Sequence, residues 1–80
     1  EANFDILKLD KSLIDGIGQK RGEILLRYLT GLAKKLGLSI VAEGVETKEQ
    51  AEFVWKISCD AIQGYYYYQP LMKEDYEKYL

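Results

Sequence analysis

Hydrophobic and polar positions along the chain fall into alternating short and long patterns. Residues 4–10 read F-D-I-L-K-L-D, a brief run rich in Phe, Ile and Leu between polar residues, which predicts a strand. Period two puts Phe4, Ile6, Lys8 and Asp10 on one face and Leu7 and Leu9 on the other. Both faces are largely apolar, as in a parallel strand covered on two sides, and the polar pair sits only at the C-terminal end. Residues 12–22 hold three glycines and the turn pair Asp15-Gly16, predicting a loop with one short helical turn. From Glu23 the period changes. Leu25, Leu29, Leu32 and Leu36 recur as one stripe of a helix, with Arg27, Thr30, Lys34 and Lys35 on the other side. Lys34 and Lys35 suit the negative end of the helix dipole. Gly37 supplies the left-handed residue that ends the helix, and Leu38 can fold back on it. Gly31, inside the helix, costs ~1 kcal/mol relative to alanine, which close packing at that point would explain.

Residues 39–43 predict a second strand. Thr47-Lys48-Glu49-Gln50 matches a capping box and opens a second helix. Its buried stripe is Ala51, Val54 and Ile57 or Ser58, flanked by Phe53 and Trp55. Residues 60–64 predict a third strand, with Cys59, Ala61 and Gln63 on one face. An aromatic run at 65–68, a loop fixed by Pro70 at 69–71 and a last short helix follow. The reading is one α/β unit over residues 1–80 in the order β-α-β-α-β-α. Its strands lie at about 4–10, 39–43 and 60–64, and its helices at about 23–36, 48–58 and 73–80. Such alternation argues for parallel strands joined by right-handed crossovers.

Composition narrows the function classes. Eighty residues allow one small domain or a piece of a larger one. At that size a chain buries only ~60% of the surface its unfolded form exposes, so the core is marginal. Apolar residues at 48% and charged residues at 30% give a globular balance rather than a disordered one. No apolar stretch approaches the ~20 residues that span a bilayer, and no signal segment opens the chain. The absence of histidine and the single Cys59 exclude a His/Cys zinc site and a His-dependent triad within these residues. One unpaired cysteine fits a reducing compartment, hence a cytoplasmic location. A net charge of −2 with both signs interspersed gives no footprint for a nucleic-acid polymer. Any metal would be a hard cation held by carboxylates.

Chemistry gathers at the three strand tips: Lys8 and Asp10, then Glu43 and Glu46, then Gln63. Carboxylate pairs bind Mg²⁺, Mn²⁺ or Ca²⁺. A lysine among them can hold a water and offset charge building on a phosphate, and a glutamine amide both donates and accepts. The set suggests metal-assisted phosphodiester hydrolysis. Each residue also has a plainer role. Lys8 and Asp10 fit a simple salt bridge, Glu46 fits a helix-dipole partner, and Gln63 fits a solvated loop residue. Glu43 is harder to dismiss, because it follows Ile40-Val41-Ala42 directly and precedes a glycine. The tyrosine run fits packing, with a stacking platform for a purine as the alternative.

Leu7-Lys8-Leu9-Asp10, then Val41-Ala42-Glu43-Gly44-Val45-Glu46-Thr47, then Gln63-Gly64-Tyr65 with Gln69-Pro70-Leu71 closely resemble the C-terminal third of EAL domains. Those are bacterial phosphodiesterases that hydrolyse cyclic di-GMP. The resemblance implies the last three strand–helix units of a modified (β/α)8 barrel. It implies two metal ions, Mg²⁺ or Mn²⁺, that activate a water for attack on the phosphodiester and release the linear dinucleotide. By the same resemblance Lys8 contacts the nucleophilic water and Glu43 is a metal ligand. Asp10 and Glu46 support the site and orient that lysine. Gln63 lies near metal-bound water and substrate, and Pro70 belongs to a loop lining a guanine pocket.

The Glu-Ala-Leu tripeptide and the ligands of the middle strands are absent from these residues, so the chain alone is expected to be inactive. A non-catalytic EAL-like module that senses cyclic di-GMP or a partner protein is the alternative, and a small stand-alone interaction protein is a third. Three strands with helices on one side also leave Phe4, Ile6, Val41 and Ala61 bare. Self-association through that face or the strand edges is expected.

Overall fold

The computed structural model describes residues 5–64 and 67–72. Strand β1 (Ile6–Leu9) leads through the one-turn helix α1 (Lys11–Ile14) to the long helix α2 (Lys20–Lys35). Then come β2 (Ser39–Glu43), α3 (Lys48–Lys56), β3 (Ala61–Gly64) and β4 (Tyr67–Met72). One sheet carries the strands in the order β1-β2-β3-β4. β1 pairs with β2 and β2 with β3 in parallel, while β4 returns antiparallel to β3.

The alternation read from the sequence sorts the sheet into two faces. Leu9, Ile40, Ala42 and Ile62 are fully buried against the helices, together with Leu26, Ala51 and Val54. Burying each large side chain stabilises the fold by roughly 1.5–3 kcal/mol. The opposite face carries Ile6, Lys8, Val41, Glu43, Ala61 and Gln63. Ile6 stands 52% exposed there, as expected of a bare inner face. Ala61, expected to be bare as well, is buried, and Val41 is half-buried.

Helix α3 follows its sequence signals closely. Thr47 accepts the Gln50 amide, and the Gln50 side chain returns to the cap backbone, so both halves of the capping box form. Ala51, Val54 and Ile57 are buried as expected, with Phe53 and Trp55 buried beside them and Ser58 exposed.

Helix α2 departs from expectation in three respects. It opens at Lys20, three residues before Glu23, because the Gly18 amide donates to the Glu23 carboxylate (2.9 Å) and closes the first turn. Its buried row is Leu26, Thr30 and Ala33, one step round from the leucine stripe. Thr30 tolerates burial because its hydroxyl donates to the Leu26 carbonyl at 2.9 Å. Leu25, Leu32 and Leu36 face outward with Ile24 and Tyr28, while Leu29 is half-buried. Gly31 does not pack closely: a Cβ there would meet nothing within 4 Å. It lines a shallow hollow of about 220 Å³ between α2 and the end of α3, with Arg27, Thr30, Lys34, Ile57 and Ser58.

The expected loop at 69–71 is strand. Pro70 lies within β4, the edge strand, where register shifts between Ile62 and Gly64. An edge or a bulge is where a sheet accepts a residue without an N–H. The last helix expected at 73–80 lies outside the described residues.

Two local ties fix the lower ends of the strands. Asp60 accepts the Ile40 amide (2.8 Å) through one carboxylate oxygen and meets Lys34 of α2 (3.3 Å) through the other. Next to it, Cys59 is 2% exposed, and burial pushes its thiol up to about 12. Just before it, Ser58 takes the left-handed residue position after α3 (φ 79°), a conformation that suits glycine. Ser58→Gly is therefore expected to raise stability by about 0.5–1 kcal/mol, read as a higher urea midpoint at unchanged slope.

Candidate functional site

The parallel register brings the strand tips level. Lys8 lies opposite Val41, so Glu43, two residues further along the same face of β2, comes within reach of the lysine. The Lys8 Nζ stands 3.6 Å from Glu43 Oε2. Glu43 in turn pairs with Gln63 across β2 and β3. Lys8, Glu43 and Gln63 thus share one face at the C-terminal ends of three adjacent parallel strands. Lys8 and Gln63 are exposed, and Glu43 is half-buried.

The other two acidic candidates take different partners. Asp10 caps α1: its carboxylate accepts the Ser12 amide (3.0 Å) and the Ser12 hydroxyl. Those hydrogen bonds, the hydroxyl foremost, hold Asp10 below the usual carboxylate range. Glu46 meets Lys11 rather than Lys8, with Lys11 Nζ 3.6 Å from its Oε2. Lys8 of β1 and Lys11 at the start of α1 therefore pair with Glu43 at the end of β2 and Glu46 in the turn after it. Pro70 lies within β4, next to β3 in the sheet.

The turn between β2 and α3 carries Glu43 and Glu46 and is held from both sides. Val45, fully buried between them, donates its amide to the Gln63 carbonyl at 3.1 Å. Gly64 lies so close to the Val45 backbone that a Cβ would overlap it. On the other side Gly44 has φ +75°, and a Cβ there would stand 2.6 Å from the Lys11 Cβ. The Glu46 amide donates to the Gln50 side-chain oxygen (2.7 Å), tying the turn into the α3 cap.

Lys11, Gly64 and Gln50 are the contributors that the sequence analysis did not single out for the site. A signal for Lys11 was present: Lys8 and Lys11 have the same spacing as Glu43 and Glu46.

Glu43 offers the hard oxygen donor that Mg²⁺ or Mn²⁺ prefers, and Gln63 a second oxygen beside it. Among the described residues, no group of three acidic, histidine or cysteine side chains could hold a metal ion. The donor set therefore fits one side of a carboxylate metal site and leaves the rest of the ligands to be supplied from elsewhere.

Comparison with known proteins gives a consistent result. The family model described as EAL domain matches residues 1–70. The oxygen sensor protein DosP of Escherichia coli is 47% identical over 70 residues, 86% of this chain and 9% of its own. The probable cyclic di-GMP phosphodiesterase PdeD of Escherichia coli is 38% identical over 77 residues, 95% of this chain and 14% of its own. Among solved structures, a manganese and cyclic di-GMP complex of Klebsiella pneumoniae BlrP1 superposes with a TM-score of 0.75 at 26% identity. That superposition covers 85% of this chain and 18% of the other. The chain spans well under two thirds of each relative.

The close approach at Gly64 yields a test. Gly64→Ala drives a methyl into the Val45 backbone and is expected to cost about 1–3 kcal/mol. Gly31→Ala, at an open helical position, is expected to gain up to ~1 kcal/mol. Paired urea titrations check both, and equal midpoints for the two variants would contradict the account of the turn.

Proposed function

The chain belongs to the EAL domain family, and on that premise we propose that residues 1–80 are the C-terminal part of one such domain. In that reading they supply the sixth, seventh and eighth strand–helix units of a (β/α)8 barrel. The barrel hydrolyses cyclic di-GMP to the linear dinucleotide by metal-assisted attack of water. The observation that supports this most is the Lys8–Glu43 contact, with Gln63 in register beside it at the strand C-termini. Barrel enzymes of this type keep their active sites at that end.

Each residue has a role that follows from its position. The Lys8 ammonium, exposed and beside the Glu43 carboxylate, orients the attacking water. It also offsets negative charge growing on the phosphoryl oxygens. Glu43 would hold a divalent ion, Mg²⁺ or Mn²⁺, jointly with ligands from strands outside these residues. When bound, the ions supply Lewis-acid polarisation of the phosphate and a more acidic water. Gln63 presents an amide to the substrate, as donor or acceptor. Asp10 and Glu46 support the site from behind, Asp10 through the cap of α1 and Glu46 through Lys11. For Pro70 the role comes from the family resemblance alone, which assigns it to a loop lining a guanine pocket.

The isolated chain is inactive in this reading, because its donor set is incomplete. The test therefore uses the protein that carries this segment together with its upstream strands. Cyclic di-GMP with Mg²⁺ or Mn²⁺ should yield the linear dinucleotide, and Glu43→Ala should lower turnover by at least about 100-fold. Binding without turnover in the parent would favour the sensor reading, and neither binding nor turnover would remove the nucleotide altogether.

Self-association of the isolated chain belongs to the same proposal. Ile6 on the inner face and Leu25, Leu32 and Leu36 on α2 would be covered by neighbours in a whole barrel, and stand exposed here. Sedimentation of the 80-residue chain at tens of micromolar should give a dimer or larger species, and a folded monomer would contradict this. Among the described residues no helix is long and apolar enough to cross a membrane. We assign the working compartment to the cytoplasm, a reading that the buried, free Cys59 supports.

A further inference from the structure

We propose that Lys11 is a positioning residue of this site, acting through Glu46. The proposal rests on the phosphodiesterase reading above for what the site does, and on geometry for how Lys11 serves it.

Lys11 is held on three sides. Its Cβ and Cγ lie over Gly44, the one residue of the turn that could not carry a side chain there without displacing them. Its ammonium lies 3.0 Å from Asp15 Oδ2, one turn along α1, and 3.6 Å from Glu46 Oε2. The Asp15 carboxylate first, and then that of Glu46, hold the ammonium above the ordinary lysine range.

An exposed ion pair between two free side chains does little, because each must be immobilised to make it. Here the base of the lysine stem lies against Gly44 and its ammonium also meets Asp15, so less freedom is left to lose when Glu46 engages it. Glu46 is anchored as well, since its amide donates to Gln50 and its neighbour Val45 is tied to Gln63. The Lys11 ammonium adds a tie through the Glu46 carboxylate, which limits both the direction of that side chain and the opening of the turn that carries it.

This arrangement has a consequence for the neighbouring pair. Lys8 lies three residues before Lys11, near the end of β1, and its partner is Glu43, which stands three residues before Glu46. With Lys11 engaging Glu46, Lys8 is left to Glu43 alone, as its 3.6 Å contact indicates. Lys11 therefore sorts the two carboxylates: one toward the reacting centre, the other toward the scaffold. The matched spacing of the lysines and the glutamates makes the sorting one-to-one.

The test uses Lys11→Met, which keeps the apolar stem over Gly44 and removes the charge, and Lys11→Arg, which restores the charge. In the protein that carries this segment, Lys11→Met should lower kcat roughly 10-fold with little change in KM. Lys11→Arg should restore most of the loss. Combining Lys11→Met with Glu46→Gln should be no worse than Glu46→Gln alone, because both changes break one interaction. Wild-type turnover in Lys11→Met, or losses that multiply in the double variant, would overturn the proposal.

A second measurement needs no turnover. Amide hydrogen exchange of residues 44–47 should quicken in Lys11→Met and recover in Lys11→Arg, with α2 unchanged. If the parent hydrolyses nothing, this arm alone decides: faster exchange keeps the positioning role while the phosphodiesterase reading falls. Unchanged exchange overturns the role itself.

Discussion

The hydrogen bond from the Val45 amide to the Gln63 carbonyl is the constraint on which the site depends. It crosses from the turn after β2 to the end of β3, beyond the last residue of the β2 ladder. Without it the β2–α3 turn would be an ordinary surface loop, with two carboxylates free to wander. With it, a fully buried side chain and a backbone bond at the same residue fix the turn from within. Glu43 and Glu46, one on each side of Val45, inherit that rigidity. Loops that carry function are most useful when a rigid scaffold sets them in place, and here the scaffold reaches into the middle of the loop.

The two small residues around that bond explain why the sequence has glycine there. Gly64 lets β3 come against the Val45 backbone, and Gly44 lets the lysine stem of α1 lie across the turn. One element presses from each side, so β1, β2 and β3 meet at their C-terminal ends in a single packed junction. The parallel register then converts junction into site, by setting Lys8 two residues behind Glu43 and Gln63 directly beside it.

Much of this was legible in the sequence for physical reasons that can be named. The strand tips could be read because a parallel strand is apolar until it ends, so a carboxylate after Ile40-Val41-Ala42 marks the end itself. The start of α3 could be read because a capping box is local chemistry, complete within four residues. What could not be read depended on contacts between elements. The leucine stripe of α2 obeys helical periodicity, yet the sheet packs against the row beside it, where Thr30 satisfies its own hydroxyl. Periodicity identifies a helix; it does not identify which of two adjacent apolar rows meets the sheet. The strand at 67–72 was obscured by Pro70, which reads as a loop residue unless the strand is known to lie at an edge. Lys11 belongs with these, because its partner Glu46 lies in the turn that follows β2, far along the chain.

The two rows of α2 have a consequence for how the chain tolerates changes in length. Neighbouring positions on an α-helix are about 100° apart, so a one-residue shift would turn the leucines toward the sheet and Thr30 away from it. The exchange would push leucines into the places of Thr30 and Ala33, an overpacking that a close-packed core resists. Helix phase is set by the packed row, and the Gly18–Glu23 bond at the start and the Lys34–Asp60 tie near the end agree with it. A single-residue insertion within α2, between Leu26 and Thr30, is thus a different kind of lesion from a core substitution. It would leave a helix that is just as well formed but, beyond the insertion, turned to the wrong azimuth, delivering the following strand and its carboxylates out of register.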